Sequence, residues 1–245
     1  MKNKKIIVGT LCVILLLLSG CSATQVLKEK RDQQPQEVEQ GDAQQFDYLI
    51  QYSGGEYLAD PALKEYVSAI GLRLVHLMGK QSLKSEFFVI NSATVNAWVS
   101  PEGRVAVSRG MLLTLENEAQ LAALFGHLLA HAANQHQHTY LQRENSPDEQ
   151  LLRQGAGHPY SRYLVGGGMS ALAAHGIRYT HQFEQQADQQ AIKLMVMAGY
   201  DPQAAVDLQL KWLRQDNGSQ SLWLRNHAPY HERLAINRQA AHGQV

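Results

Sequence analysis

The most restrictive feature of this sequence is a helical run that carries a pair of histidines. From Asn117 onward, Leu121, Leu124, Phe125, Leu128 and Leu129 recur as an apolar stripe, and His127 and His131 stand four residues apart within it. Asn117 is a suitable cap, Gln120 stands where a capping box places its second partner, and the pattern runs on to roughly His136. With ~3.6 residues per turn, this spacing puts both imidazoles on one helix face, close enough to share one ion. Such pairs also occur in helices that bind nothing, where the rings only pack, so a metal reading needs further ligands.

A further ligand is offered by a second long helix, expected from about Ala171 or Tyr179 through Met197 and stopped by Gly199-Tyr200-Asp201-Pro202. In the run Glu184-Gln185-Gln186-Ala187-Asp188, Glu184 supplies a carboxylate that would complete three protein ligands and leave a fourth zinc position open to water. Asp188, one turn on, is placed to accept the free ring N–H of a ligand histidine and so fix its orientation. Among the other histidines, His136 and His138 fall at a helix end, where a cationic side chain suits the dipole. His76, His158, His175, His181, His231 and His242 have no spacing logic and are expected to pack or lie on the surface.

Thiols do not enter this chemistry. Lys2, Lys4 and Lys5 precede an apolar run from Ile6 to Leu18 that closes on Leu18-Ser19-Gly20-Cys21. The run is shorter than the ~20 residues a spanning helix needs, so residues 1–20 are expected to be a signal peptide. The closing residues resemble a lipobox, which implies cleavage before Cys21, acylation of its thiol and attachment to a membrane. Ser22 in place of an acidic residue favours sorting to the outer membrane, facing the periplasm. Cys12 leaves with the signal, so any metal must be held by His, Asp or Glu. Residues 21–45, rich in Gln and carrying Pro35, form an expected tether. The formal net charge is zero and no basic block occurs, which removes the electrostatic footprint of a nucleic-acid partner.

The remainder, 46–240, suits one domain. Asp60-Pro61 opens a helix whose Leu63, Tyr66, Val67, Ile70, Leu74 and Leu77 recur at helical steps. Phe87 to Ile90, Thr94 to Ser100 and Arg104 to Ser108 are rich in β-formers, and Pro101-Glu102-Gly103 is a turn between the last two. They are expected to form a small antiparallel sheet. The polar stretch from Gln142 to Arg153 ends the histidine helix, and Gly166-Gly167-Gly168 is a joint rather than a phosphate cradle, since no strand leads into it. Asp201-Pro202 and Glu232 to Ala241 begin and carry two last helices.

Taken in order, these residues resemble a known family. Asn96-Ala97-Trp98, Pro101-Glu102-Gly103, Val107 to Leu112, Glu118-Ala119, Gly126-His127 and Ala130-His131 are similar to the HtpX/BepA/LoiP-like zinc metallopeptidases. Glu184 to Asp188, Ala198 to Pro202, Asn226-His227-Ala228-Pro229 and Glu232-Arg233-Leu234 continue the likeness. It implies an α+β, mostly helical, gluzincin-like fold with the sheet beside the active-site helix, and one zinc ion held by His127, His131 and Glu184. It further implies that Asn96, Ala97, Trp98 and Val99 form a strand that pairs with an extended substrate, that His227 can approach and tune the metal, and that Arg233 is a structural partner. Trp98 itself is expected to pack or to wall the cleft.

One position departs from the family's H-E-x-x-H: the glutamate is replaced by Leu128. That glutamate passes a proton from zinc-bound water to the leaving amine, and its loss typically costs ~10²–10⁴-fold in rate. Glu118 is too far along the helix to substitute, whereas Glu144, Asp148, Glu149 or His227 remain candidates. The leading expectation is a catalytically impaired zinc-binding lipoprotein that binds extended or misfolded polypeptide, in envelope quality control or alongside the outer-membrane assembly machinery. The alternatives are an active zinc endopeptidase with a substitute base, and a metal-free relic.

Overall fold

Local signals in the sequence start the helices where the computed structural model has them, and the model describes residues 46–80, 83–137, 179–215, 223, 227 and 231–243. Cys21, the signal segment, the tether, the stretch from Gln142 to Arg153, Gly166-Gly167-Gly168, His138, His158 and His175 lie outside those residues. A short helix α1 covers 46–52. Helix α2 runs Pro61–Met78, with the Asp60 side chain accepting from the Leu63 N–H and Pro61 in the first turn, where its missing N–H costs nothing. Strands β1 (Phe87–Ile90), β2 (Ala97–Val99) and β3 (Val105–Ser108) follow, then the single turn α3 (Arg109–Leu112).

The sheet is mixed rather than antiparallel. Its order is β1-β3-β2, with β1 parallel to β3 and β2 antiparallel to β3. The tight turn at 101–104 returns β3 directly against β2, with Ser100 N–H and Arg104 C=O closing it. Residues 91–96 instead hold β1 and β2 apart, leaving room for β3 between them. Strand β2 is also shorter than its β-forming residues suggested, because the chain around Ser92 and Thr94 turns to meet α3.

Period-two alternation then sorts side chains between two layers. Phe87, Val89, Ala97, Val99, Val105 and Val107 join the main core with α2 and the histidine helix, while Ile90, Trp98 and Ala106 pack with Phe46, Leu49 and Ile50 of α1. Trp98 is thus a packing residue, 6.5 Å from the Phe46 ring.

Helix α4 spans Glu118–Ala133 and is buried along nearly its whole length. Asn117 caps it by accepting from the Gln120 N–H, but Gln120 Oε1 reaches one residue past the capping-box position, to the Glu116 N–H at 2.9 Å. The helix does not run through His136: Asn134 caps it, Gln135 takes a φ of 53°, and helical geometry resumes at 136. Helix α5 (His181–Met197) starts on the Thr180 cap and packs along α4; α6 (Gln203–Gln215) and α7 (His231–His242) complete the helical layer. Among the described residues, no helix is long and apolar enough to cross a membrane.

Gly110 holds the loop before β2 against α3. A Cβ there would lie 2.1 Å from the Ala93 carbonyl oxygen, and the Gly110 N–H donates to Ser92 O at 2.9 Å. Gly110→Ala is expected to cost about 1–3 kcal/mol, as overpacking against backbone does. The reading is a lower urea midpoint at unchanged slope; an unchanged midpoint would show that the 92–94 turn yields freely.

Candidate metal centre

Close contact between α4 and α5 begins at Gly126, where a Cβ would lie 3.1 Å from Ala191 Cα. That absence of a side chain lets the next residue, His127, reach the carboxylates of α5. His127, His131, Glu184 and His227 are all buried, and one ligand atom from each lies within 4.8 Å of the other three. His127 Nε2 is 3.1 Å from His131 Nε2 and 3.0 Å from His227 Nδ1; Glu184 Oε1 is 3.0 Å from His227 Nδ1 and 3.5 Å from His131 Nε2. His227, suggested only by resemblance, therefore joins the three residues picked out by spacing. Trp223, one turn before it, stacks on its ring at 4.1 Å.

Asp188 organises the far side of this group. Its two oxygens accept from His127 Nδ1, Gln209 Nε2, Asn237 Nδ2, and Arg233 Nε and Nη2, each at 2.8 Å. Arg233 also extends Nη1 to within 2.5 Å of Glu184 Oε2, so one guanidinium spans both buried carboxylates. Burial alone would push both carboxyl pKa values up. Arg233 and the facing histidines outweigh that and hold both well below the usual carboxylate range.

The donor set fits a zinc ion. An ionised Asp188 only accepts, so His127 carries its proton on Nδ1 and turns the Nε2 lone pair toward His131, His227 and Glu184. Lone pairs and a carboxylate converging at these separations suit a cation, since tetrahedral ligands with Zn–N of ~2.0–2.1 Å stand roughly 3.3 Å apart. Burial lowers the pKa of His131 and His227, which keeps these rings neutral, the form that ligates.

Leu128 points into the main core and is buried, so no carboxylate enters the group from that position. Glu118 is held at the opposite end of α4 by the hydroxyls of Tyr66 at 2.9 Å and Tyr200 at 2.6 Å. Glu144, Asp148 and Glu149 fall outside the described residues. The expectation for His136 fails: it does not serve as a helix-end cation but is buried, its Nδ1 3.0 Å from His131 Nδ1. The break at Gln135 turns it back onto the preceding turn. Tyr179, also missed, stacks on His131 at 3.8 Å. His181, His231 and His242 are exposed, as expected, and so is His76 in the last turn of α2.

Strand β2 is an edge of the sheet. The Asn96 N–H and C=O both pair with Ser108, and alternation then turns the Ala97 and Val99 backbone groups outward. Asn96 therefore faces inward, and Val99 C=O already accepts from Gln137 Nε2 at 2.6 Å.

Two expectations follow. Arg233→Met leaves two buried carboxylates without their shared cation and should lower stability by ~3–5 kcal/mol at neutral pH, read by urea unfolding. The chelator-treated protein should lose stability with acid in two stages. Depressed histidine pKa values give stability that is complete above the unfolded value of ~6.5 and falls below it; the depressed carboxyls add a further loss below ~4. Urea midpoints from pH 8 to 3 check this, and a flat profile between 7 and 5 would contradict it.

The profile of Peptidase family M48 matches residues 61–240. The chain is 28% identical over 178 residues to the beta-barrel assembly-enhancing protease of Escherichia coli (strain K12), a match covering 69% of this chain and 36% of that protein. It is 26% identical over 157 residues to the protein of that name from Yersinia pestis, covering 59% of this chain and 32% of the relative. It is also 30% identical over 155 residues to the mitochondrial metalloendopeptidase OMA1 of Schizosaccharomyces pombe, covering 62% and 43%. The chain thus spans only about a third of the length of the bacterial relatives. With the family profile running across the sheet, the histidine helix and every residue of the buried centre, this chain belongs to Peptidase family M48.

Proposed function

We propose that this chain is a zinc-binding pseudopeptidase that engages extended or misfolded polypeptide in the cell envelope, with little or no hydrolysis. The observation that carries this reading is the pairing of four convergent donors, His127, His131, Glu184 and His227, with an apolar Leu128 at the place of the base. Zinc-dependence is a property of the family. When bound, the ion would polarise a carbonyl or lower the pKa of a water; a fourth protein donor competes for the position that water needs. Four protein donors make a closed, structural type of site.

The chain's own residues set the rest. Asp188 and Arg233 hold the donors in place, and Leu128 makes the surroundings drier than a glutamate would. The backbone groups of Ala97 and the Val99 N–H, on the free edge of β2, offer hydrogen bonds to a client strand. Attachment through Cys21, exposure to the periplasm and work beside an outer-membrane assembly machinery are part of the proposal. They are supported by the signal-like N-terminus and by the bacterial relatives, whose name describes enhancement of β-barrel assembly.

The test uses the detergent-solubilised full chain, with zinc content and cleavage of an unfolded protein measured on the same samples. Leu128→Glu should leave zinc content unchanged and raise chelator-sensitive cleavage by ~10²–10⁴-fold, most fully when combined with His227→Ala, which reopens the fourth position. Chelator-sensitive cleavage by the unmodified chain at the rate of the Leu128→Glu chain would sink the pseudopeptidase reading in favour of an active peptidase with another base.

A further inference from the structure

We propose that His136 is a positioning residue that sets the tautomer of His131 through a hydrogen-bond relay ending at Gln186. The proposal rests on the reading of His131 as a metal ligand and adds a control on it from outside the donor group.

The geometry is a chain of three side chains. Gln186 Oε1 lies 3.1 Å from His136 Nε2, and His136 Nδ1 lies 3.0 Å from His131 Nδ1. His131 Nε2 then faces His127 Nε2 and Glu184 Oε1. A neutral imidazole has one N–H and one lone pair, so fixing either end of the chain fixes every proton along it. The Gln186 carbonyl oxygen only accepts. His136 therefore donates from Nε2 and presents its Nδ1 lone pair, His131 donates from Nδ1, and His131 Nε2 is left with a lone pair aimed at the centre. Reversed, the relay would place a proton on His131 Nε2, between the donors.

Other features hold the relay rigid. The positive φ of Gln135 interrupts α4 and returns His136 to a ligand five residues earlier. Its ring lies parallel to Phe183, 4.3 Å between centroids and 9° between planes. Gln186 is exposed on α5, so the relay begins at the surface and ends at a fully buried ring. His127 receives the same service from Asp188 on the other side. The two α4 histidines are thus polarised by different partners, one a carboxylate and one an imidazole–amide pair.

A packing role and a tautomer role make opposite demands on the replacement. His136→Phe keeps a ring against Phe183 but has no acceptor; His136→Asn loses the ring but keeps an acceptor near the place of Nδ1. In the full chain, zinc affinity is measured by competition with a chromophoric chelator, together with the visible spectrum of the cobalt-loaded protein and metal-free thermal unfolding. His136→Phe should weaken zinc by ~10–100-fold and alter the cobalt spectrum, while His136→Asn keeps the unmodified affinity. On the exposed residue, Gln186→Leu should weaken zinc and Gln186→Glu, which can only accept, should not; this pair answers the question even where a His136 variant fails to fold. Zinc bound as tightly by His136→Phe and Gln186→Leu as by the unmodified chain, or weakened equally by both members of each pair, would overturn the relay. Absence of zinc uptake by the unmodified chain would overturn the metal reading itself, and the relay with it.

Discussion

The centre depends on one ion pair, the contact of Arg233 with Asp188. A carboxylate in this interior would be too costly to keep charged alone, because burial strips its water. Asp188 is charged because five N–H groups point at it, two of them from one guanidinium. Those groups come from α4, α6 and α7, so a single carboxylate on α5 fastens three other helices. The same charge dictates which nitrogen of His127 is protonated. Fold and ligand geometry therefore share one cause: neither the packing of α7 nor the direction of the His127 lone pair survives if the pair is broken.

The histidine helix is otherwise a hydrophobic core element. Leu121, Leu124, Phe125, Leu128 and Leu129 are buried with the sheet and α2, and the imidazoles occupy the one face turned to α5. Leucine at 128 extends that core. It introduces no polar group that would need a partner, whereas a glutamate there would bring a carboxylate into a buried position. Leucine is thus a residue that the packing accepts readily at this position. Beside that core, four donors converge, with His227 stacked on Trp223.

Much of this was legible in the sequence where the signal is local. Asp60-Pro61 and Asn117 cap the helices they were expected to cap, and the four-residue steps of His127 to His131 and Glu184 to Asp188 place those pairs on single faces. Strand order was not legible: alternation fixes which side chains face the core, but says nothing of whether β3 lies beside β1 or between β1 and β2. His136 was misjudged because a helix carried through to it would point its ring elsewhere, and only the left-handed residue at 135 turns it back. Gln209 and Asn237 gave no signal, since a lone amide on an amphipathic helix has the same sequence appearance whether it faces water or a buried carboxylate. His227 and Arg233 lie far from the other ligands along the chain, so likeness to a family pointed to them and spacing could not.

That separation has a consequence for synthesis. His127 and His227 are a hundred residues apart, and the donors that complete Asp188 arrive later still, at Arg233 and Asn237. A growing chain holds its first two histidines long before it holds the cation that makes Asp188 and Glu184 tolerable in the interior. The site can close only when the last helix has docked. Closure of the donor group thus reports that the domain is whole, and a copy truncated before residue 233 would be exposed as unfinished by its own unneutralised carboxylates.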